Sequence, residues 1–409
     1  MQTNLADFIK DTPEGIEADA ILRSCVHCGF CTATCPTYQI LGDELDGPRG
    51  RIYLIKQVLE GAEPTIKTQQ HLDRCLTCRN CESTCPSGVE YGRLVDIGRA
   101  VVEKKVGRTF GQSLQRTVLR KGLLSKKSFT AAIALGRAAR PLLPAALKAK
   151  IQPRRATGAW PTTQHARSML LLDNCVQDAL APSIDSATAR VLDAAGITLK
   201  RVSAGGCCGA LSHHLNAHDE AVTKVRANID AWWPLIEAGA EAVVGTASGC
   251  SVMLKDYGHF MKHDAAYATK AERIGTLAKD ISEVIAAEWP KLQAKVKPAT
   301  EKIAYHPPCT LQHGMKLKGG VEELLKDMGF ALAPVADSHL CCGSAGTYSV
   351  LQPVISNELK SRKLKSLTAG APTQIATANI GCMTHLQSGT SLAVKHWIEL
   401  LDERLASGN

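Results

Sequence analysis

Cys25-Val26-His27-Cys28-Gly29-Phe30-Cys31-Thr32-Ala33-Thr34-Cys35-Pro36 decides how the first part of this chain is read. The same spacing returns as Cys75-Leu76-Thr77-Cys78-Arg79-Asn80-Cys81-Glu82-Ser83-Thr84-Cys85-Pro86. Both are C-x2-C-x2-C-x3-C-P. Three cysteines at two-residue spacing wrap one iron–sulfur cluster, and the fourth, set by the proline, points away to the cluster of the other motif. The crossed assignment is Cys25, Cys28, Cys31 and Cys85 for one [4Fe–4S] cluster, and Cys75, Cys78, Cys81 and Cys35 for the second. A pair of structural zinc sites is the alternative, but it leaves the third cysteine and the Cys-Pro pair without a use. His27 reads as a solvent-facing residue inside the first loop, since cysteines already fill the site. Clusters that share crossed ligands lie close enough to pass electrons. Between the motifs, Asp46-Gly47-Pro48-Arg49-Gly50-Arg51 reads as a turn opening a helix over Ile52–Leu59, with a docking surface as the lesser reading.

The other cysteines sort themselves by position. Of 16 in all, eight lie between Cys25 and Cys85 and eight between Cys175 and Cys382, with none in between. The later eight form an internal repeat. Cys175 precedes Cys207-Cys208-Gly209 by the same interval that separates Cys309 from Cys341-Cys342-Gly343, and the copies are offset by 134 residues. Cys250 and Cys382 complete the two sets. Apolar runs at Ser168–Leu172, Thr198–Val202 and Ala242–Thr246 predict strands, and so do Ile303–Tyr305, Ala331–Val335 and Gln374–Thr377. Helical stretches separate them at Thr188–Ala195, Ala217–Glu237, Val321–Met328 and Leu351–Leu367. That alternation implies α/β units with parallel sheets. All eight cysteines then fall at or just after strand carboxyl ends, where such sheets place ligands. The fold class is therefore a mostly helical dicluster ferredoxin-type part followed by two repeated α/β cysteine-rich units. Expected domains are 1–100, a basic helical linker 101–165, and the repeats 166–297 and 298–409.

Charge is concentrated in the cysteine-free stretch. Val101–Arg155 holds 14 Lys and Arg against one acid, Glu103, while the 409-residue chain carries only +9. The segment interleaves this charge with Leu119, Leu123, Leu124, Phe129, Ile133 and Leu135, a pattern suited to an anionic membrane surface or to a solvated connector that docks a partner. Aromatic residues make up only 4% of the chain, so no stacking platform for nucleic acid accompanies the charge. The amino terminus has no basic region followed by an apolar core, and no apolar run approaches bilayer length, so a reducing compartment is expected. No G-x-G-x-x-G follows a predicted strand and no P-loop lysine motif occurs. Neither flavin nor nicotinamide is expected in this chain. His213, His214, His306 and His313 flank the repeat cysteines as candidate acid/base groups, or as polar residues supporting the cysteines, and no residue is assigned a catalytic role.

Two C-x2-C-x2-C-x3-C-P motifs, a basic linker and two Cys-Cys-Gly repeats resemble the family of glycolate oxidase iron–sulfur subunits. The resemblance covers essentially the whole chain, including Asp46-Gly47-Pro48-Arg49-Gly50 and His306-Pro307-Pro308-Cys309. It implies an electron-transfer subunit, working with FAD-containing partner subunits that oxidise glycolate, or D-lactate, and passing electrons through two [4Fe–4S] clusters to an acceptor such as quinone. It implies a peripheral place on the cytoplasmic side of the inner membrane. Related layouts occur in iron–sulfur subunits of lactate and glycerol-3-phosphate dehydrogenases and in heterodisulfide reductases. The last carry five cysteines per repeat, whereas Ala247 and Asn379 stand at the extra position here. This weighs against disulfide chemistry. It leaves Cys175, Cys207, Cys208, Cys250, Cys309, Cys341, Cys342 and Cys382 as candidate ligands of a further cluster or metal.

Overall fold

The computed structural model describes residues 1–144, 148, 151–153 and 155–405. Its first part is helical. Thr12 caps the helix Pro13–Ser24 by accepting from the Gly15 amide, and Pro13 at the first position loses no hydrogen bond there. Pro48 opens the helix Pro48–Leu59 in the same way, so the expected helix begins four residues earlier than Ile52. Its buried face of Ile52, Ile55, Val58 and Leu59 packs with Leu22 and with Leu94, Val95 and Val102 of the helix Tyr91–Val106. Those helices form the frame on which both cysteine motifs hang.

The basic segment continues as two helices, Phe110–Leu124 and Lys126–Ala139, neither of which buries a residue. Much of its charge is met by acids, all but Glu103 from outside the segment. Arg108 pairs with Asp73 and Glu103, Arg116 with Asp73, Lys126 with Asp173 and Asp178, and Arg155 with Glu399. Lys150 and Arg154 of that segment lie outside the described residues.

Two four-stranded parallel sheets follow. The first contains β1 (Arg167–Leu171), β2 (Ile197–Arg201), β3 (Val243–Gly245) and β4 (Ala278–Asp280), in the order β2-β1-β3-β4. The second contains β5 (Lys302–His306), β6 (Ala331–Leu332), β7 (Gln374–Thr377) and β8 (Ala393–His396), in the order β6-β5-β7-β8. The repeat is thus a repeat of topology. Each sheet carries a fourth strand beyond the three read from sequence. These strands are short: β4 alternates buried and exposed residues over three positions, too few for a periodic signal. The expected strand over Ala331–Val335 reduces to Ala331–Leu332, because Pro334 cannot donate to a ladder. The expected helix Leu351–Leu367 breaks at Gln352, ahead of Pro353. One apolar core runs through both units, and Arg190 and Asp402 pair across it at 2.5 Å.

Candidate functional site

The two amino-terminal motifs adopt one backbone shape. His27 and Gly29 have φ of 57° and 84°, and the matching Thr77 and Arg79 have 53° and 57°. Left-handed residues on both sides of the second cysteine curl the loop so that its thiols converge. Gly29 takes this conformation freely, while Arg79 bears its cost at the matching position. Cys31 and Cys81 then sit in short helices, Phe30–Ala33 and Asn80–Thr84. Each motif next turns at a Cys-Pro pair, which sends Cys35 and Cys85 toward the opposite motif.

Two groups of four thiols result. Cys25, Cys28, Cys31 and Cys85 line one cavity with Arg49, Ile52 and Tyr91, and Cys81 reaches its edge. Burial, with Cys25, Cys85 and Cys28 nearby, pushes the Cys31 thiol up to about 11. In the second group, burial pushes Cys81 well above its ordinary value, with Cys78, Cys75 and Cys35 adding repulsion. The same holds for Cys78, whose neighbours are Cys309, Cys35 and Cys75. Four thiolates cannot share so small a space without a cationic centre, and soft sulfur donors in fours suit iron–sulfur clusters. The residues present fit such a group. His27, half-buried, turns its ring to the Met1 sulfur.

The groups differ in exposure at their second cysteine. Cys28 is exposed between Val26 and Phe30, which are 67% and 60% exposed, whereas the matching Cys78 is half-buried; Cys25, Cys35, Cys75 and Cys81 are all buried. Buried charge surrounds the inner group. Arg51 is 1% exposed and donates to the His71 carbonyl at 2.7 Å and to Thr37 Oγ1 at 3.1 Å. Asp46, fully buried, accepts from Arg74 at 2.8 Å, and His71 Nδ1 lies 3.1 Å from it. The thiols Cys75 and Cys35 hold the Arg51 guanidinium firmly charged against its burial. The Tyr91 hydroxyl donates to Cys75 Sγ at 3.6 Å, and the Thr77 amide at 3.4 Å. Asp46 to Arg51, read from sequence mainly as a turn, is therefore also an electrostatic support for the inner cysteines.

In both α/β units the cysteines gather at strand carboxyl ends as expected. Gly209 and Gly343 explain the third letter of Cys-Cys-Gly: both are left-handed, and a Cβ at Gly343 would meet the Ser356 carbonyl at 2.5 Å. In the first unit Cys207 contacts Cys175 and Cys208, and Cys208 contacts Cys250. In the second, Cys341 lies 3.9 Å from Cys309 and contacts Cys342, which contacts Cys382. Cys341 and Cys309 also pack with Cys78 and Leu76, so the second unit abuts the inner thiol group.

The candidate histidines part company. His306 is buried, both ring nitrogens lack a hydrogen-bond partner, and it shares with Cys342 and Cys382 a space where all donor atoms lie within 4.8 Å. His313 bridges parts of the chain: Ser83 Oγ meets its Nδ1 at 2.9 Å, the His339 carbonyl meets its Nε2, and burial pushes it down to about 4. A neutral bridging ring is no acid catalyst. His213 and His214 face Asp96 instead of a cysteine nest. Sequence reasoning missed Lys363, which is 3% exposed, donates to the Asp337 and Ser338 carbonyls, and lies near Cys342, Cys341 and Cys382. The signal was its place: Lys363 falls at the four-residue interval between Leu359 and Leu367, on the stripe that begins at Ile355.

Comparison with known proteins agrees with this layout. Residues 21–89 match the model for a 4Fe-4S dicluster domain, and residues 169–255 and 303–387 match that for a cysteine-rich domain. The chain is 52% identical over 407 residues to the glycolate oxidase iron-sulfur subunit of Escherichia coli strain K12, covering 99% of each. It is 27% identical to the "Probable glycolate oxidase iron-sulfur subunit" of Bacillus subtilis strain 168, over 90% of this chain and 89% of that one. It is 26% identical to lactate utilization protein A of an Exiguobacterium strain, over 58% of this chain and 97% of the relative.

Proposed function

The chain belongs to the family of glycolate oxidase iron–sulfur subunits, and on that premise we propose that it is the electron-transfer subunit of a complex oxidising glycolate to glyoxylate. FAD-containing partner subunits carry out the oxidation, D-lactate is a second candidate substrate, and a quinone is the candidate acceptor. Two [4Fe–4S] clusters, when bound, supply one-electron storage and transfer. Cys25, Cys28, Cys31 and Cys85 hold the first, and Cys35, Cys75, Cys78 and Cys81 the second. The observation that carries this reading is the sorting of the eight thiols into two crossed groups of four. Exposed Val26, Cys28 and Phe30 offer the partner a face at the outer group, and Arg51 offsets anionic charge at the inner one. The four-part division 1–100, 101–165, 166–297 and 298–409 is kept as part of the proposal.

A specific observation supports a further centre in the second unit. His306 has no partner and Lys363 meets only carbonyls, so an occupant with thiolate ligands would satisfy the ring and balance the ammonium. The first unit has Leu172 and Ile229 at the positions one repeat earlier. Peripheral membrane contact on the cytoplasmic side is proposed from Phe110, Leu114 and Val118, an exposed apolar stripe on a basic helix. No helix among the described residues is long and apolar enough to cross a membrane.

The test is anaerobic co-purification of the tagged chain with its complex. Brown material, a reduced-state EPR signal from two interacting clusters, and an FAD-containing companion are expected. Colourless, EPR-silent protein would reject the reading.

A further inference from the structure

Asp96, His213 and His214 meet where the helix Tyr91–Val106 crosses the first α/β unit, with no cysteine in the cluster. The histidines end the short helix Ala210–His214 that follows Cys207-Cys208-Gly209. Asp96 stands on the helix that begins at Tyr91, a lining residue of the outer thiol cavity. His213 Nε2 lies 3.4 Å from Asp96 Oδ2, His214 Nδ1 lies 3.9 Å from Asp96 Oδ1, and one donor atom from each of the three fits within 4.8 Å. A charge-assisted hydrogen bond closes to roughly 2.7–2.9 Å. Two ligands bonded to one tetrahedral zinc at roughly 2.0–2.1 Å sit about 3.3 Å apart. The His213–Asp96 spacing matches the second arrangement better than the first, and the 3.9 Å spacing of His214 from Asp96 is wider than both.

The far side of His213 strengthens the case. Its Nδ1 lies 3.3 Å from His218 Nδ1, and His218 Nε2 is buried without a hydrogen-bond partner. When His213 donates from Nδ1 to His218, its Nε2 presents a lone pair to the Asp96 carboxylate. In that tautomer the Nε2 lone pair facing Asp96 is open to a cation; in the other, Nε2–H donates to Asp96 Oδ2 at 3.4 Å. Metal-ligating histidines characteristically donate their other ring N–H to an acceptor behind them, which fixes the tautomer. The Phe260 ring packs edge-on to His213 at 5.1 Å and limits its rotation. Asn216, left-handed at φ 57°, makes the turn between His214 and His218 and donates to Glu103 Oε2 at 2.6 Å. The loop is thereby tied to the same helix that carries Asp96.

We propose that Asp96, His213 and His214 bind one divalent transition-metal ion of the zinc class, with His218 orienting His213 from behind. The donor set is one carboxylate and two imidazoles, borderline ligands suited to zinc and its neighbours and unlike the all-sulfur nests. His214 is 45% exposed, so the ion is reached from solvent and water completes its coordination. The bound ion clips the helix after the second motif to the loop after the first Cys-Cys-Gly, fixing how the two regions sit together.

The test uses the untagged, cluster-loaded full chain, equilibrated anaerobically with zinc against a competing chelator. Metal content by mass spectrometry and X-ray absorption at the zinc edge are then recorded. One zinc with a nitrogen/oxygen shell is expected. His214→Ala and Asp96→Asn should each lose that zinc while keeping wild-type iron content and visible spectrum, and His218→Ala should weaken it roughly 10–100-fold. His214 is surface-accessible, so its variant reports on binding and not on folding. A wild-type protein binding zinc only through sulfur, binding none, or variants that retain the nitrogen/oxygen zinc would overturn the proposal.

Discussion

The two α/β units share a topology and a four-thiol nest but not the residues that surround it. The first nest has Leu172 and Ile229 beside it; the second has His306 and Lys363 at the corresponding positions. The second also touches Cys78 of the inner group through Cys309 and Cys341. The first meets the amino-terminal helices through ion pairs such as Arg93 to Asp256 at 2.8 Å. At these two positions the first copy is apolar and the second carries buried ionisable groups where it adjoins the electron carriers, while buried Asn228 and Tyr257 hydrogen-bond the Cys207 and Cys208 carbonyls of the first. The fold tolerates both because the strands set the thiols, and neighbouring positions are free to change.

The sharpest way to break this contrast is to remove the atom joining the inner group to the second unit. Cys78→Ser takes a ligand from the inner group and the neighbour of Cys309 together. Loss of about half the iron is expected, with a fall in activity of the reconstituted complex beyond the roughly 10–100-fold that loss of an outer contact costs. Cys175→Ser, in the first unit, should leave the iron of the amino-terminal motifs unchanged. Iron analysis and turnover with the partner subunits check both. Equal losses in the two variants would erase the distinction between the units.

How much of this was legible in the sequence depended on periodicity. Eight cysteines at fixed spacing announced the two thiol groups, and the 134-residue offset announced the duplicated unit. Strands β4 and β8 escaped because three or four residues cannot display an alternation. Arg51 and Lys363 escaped for a different reason, while His306 was a candidate whose surroundings could not be read. Each of the first two is a polar residue whose burial depends on groups far along the chain: Arg51 on Cys75, Lys363 on Asp337 and the nest. That His306 stands where the first copy has Leu172 follows from the 134-residue offset. Its meaning came only with the finding that neither ring nitrogen is satisfied.

Exchanging the surrounds sharpens the comparison next. Ile229→Lys places a cation in the apolar setting of the first nest, where Ile229 is fully buried. A buried charge without a compensating partner costs about 3–5 kcal/mol, measurable by denaturant unfolding. Wild-type stability would mean that the first nest already carries anionic charge able to receive it. The reverse change, His306→Leu, should release metal from the second unit. If that unit holds nothing, removing an unsatisfied buried ring should instead stabilise the protein by about 1–3 kcal/mol.

The smallest expected effect concerns acid, and it arises at the last strand of each unit. Asp280 ends β4 and caps the helix Ile281–Leu292, accepting from the Ser282 amide at 3.0 Å. His396 ends β8 and caps the helix Trp397–Asp402 in the same role, its Nδ1 accepting from the Ile398 amide at 3.3 Å. A histidine can accept only while neutral, and burial pushes His396 down to about 4. The unfolded chain binds that proton from about pH 6.5 downward while the folded chain refuses it, so stability falls as pH drops between about 6.5 and 4. At pH 5.5 the loss from this group is on the order of 1.4 kcal/mol. His313, also pushed down to about 4 and also in the second unit, adds in the same direction. Burial raises Asp280, so the fold takes up its proton before the unfolded chain does, and acidification favours the native state there. The second unit should therefore open first. Hydrogen exchange at pH 7.5 and 5.5 checks this. Protection in Trp397–Asp402 and β8 should decline before that in Ile281–Leu292, and His396→Asp should narrow the difference. Uniform loss across both units would show that this cap does not set their relative acid stability.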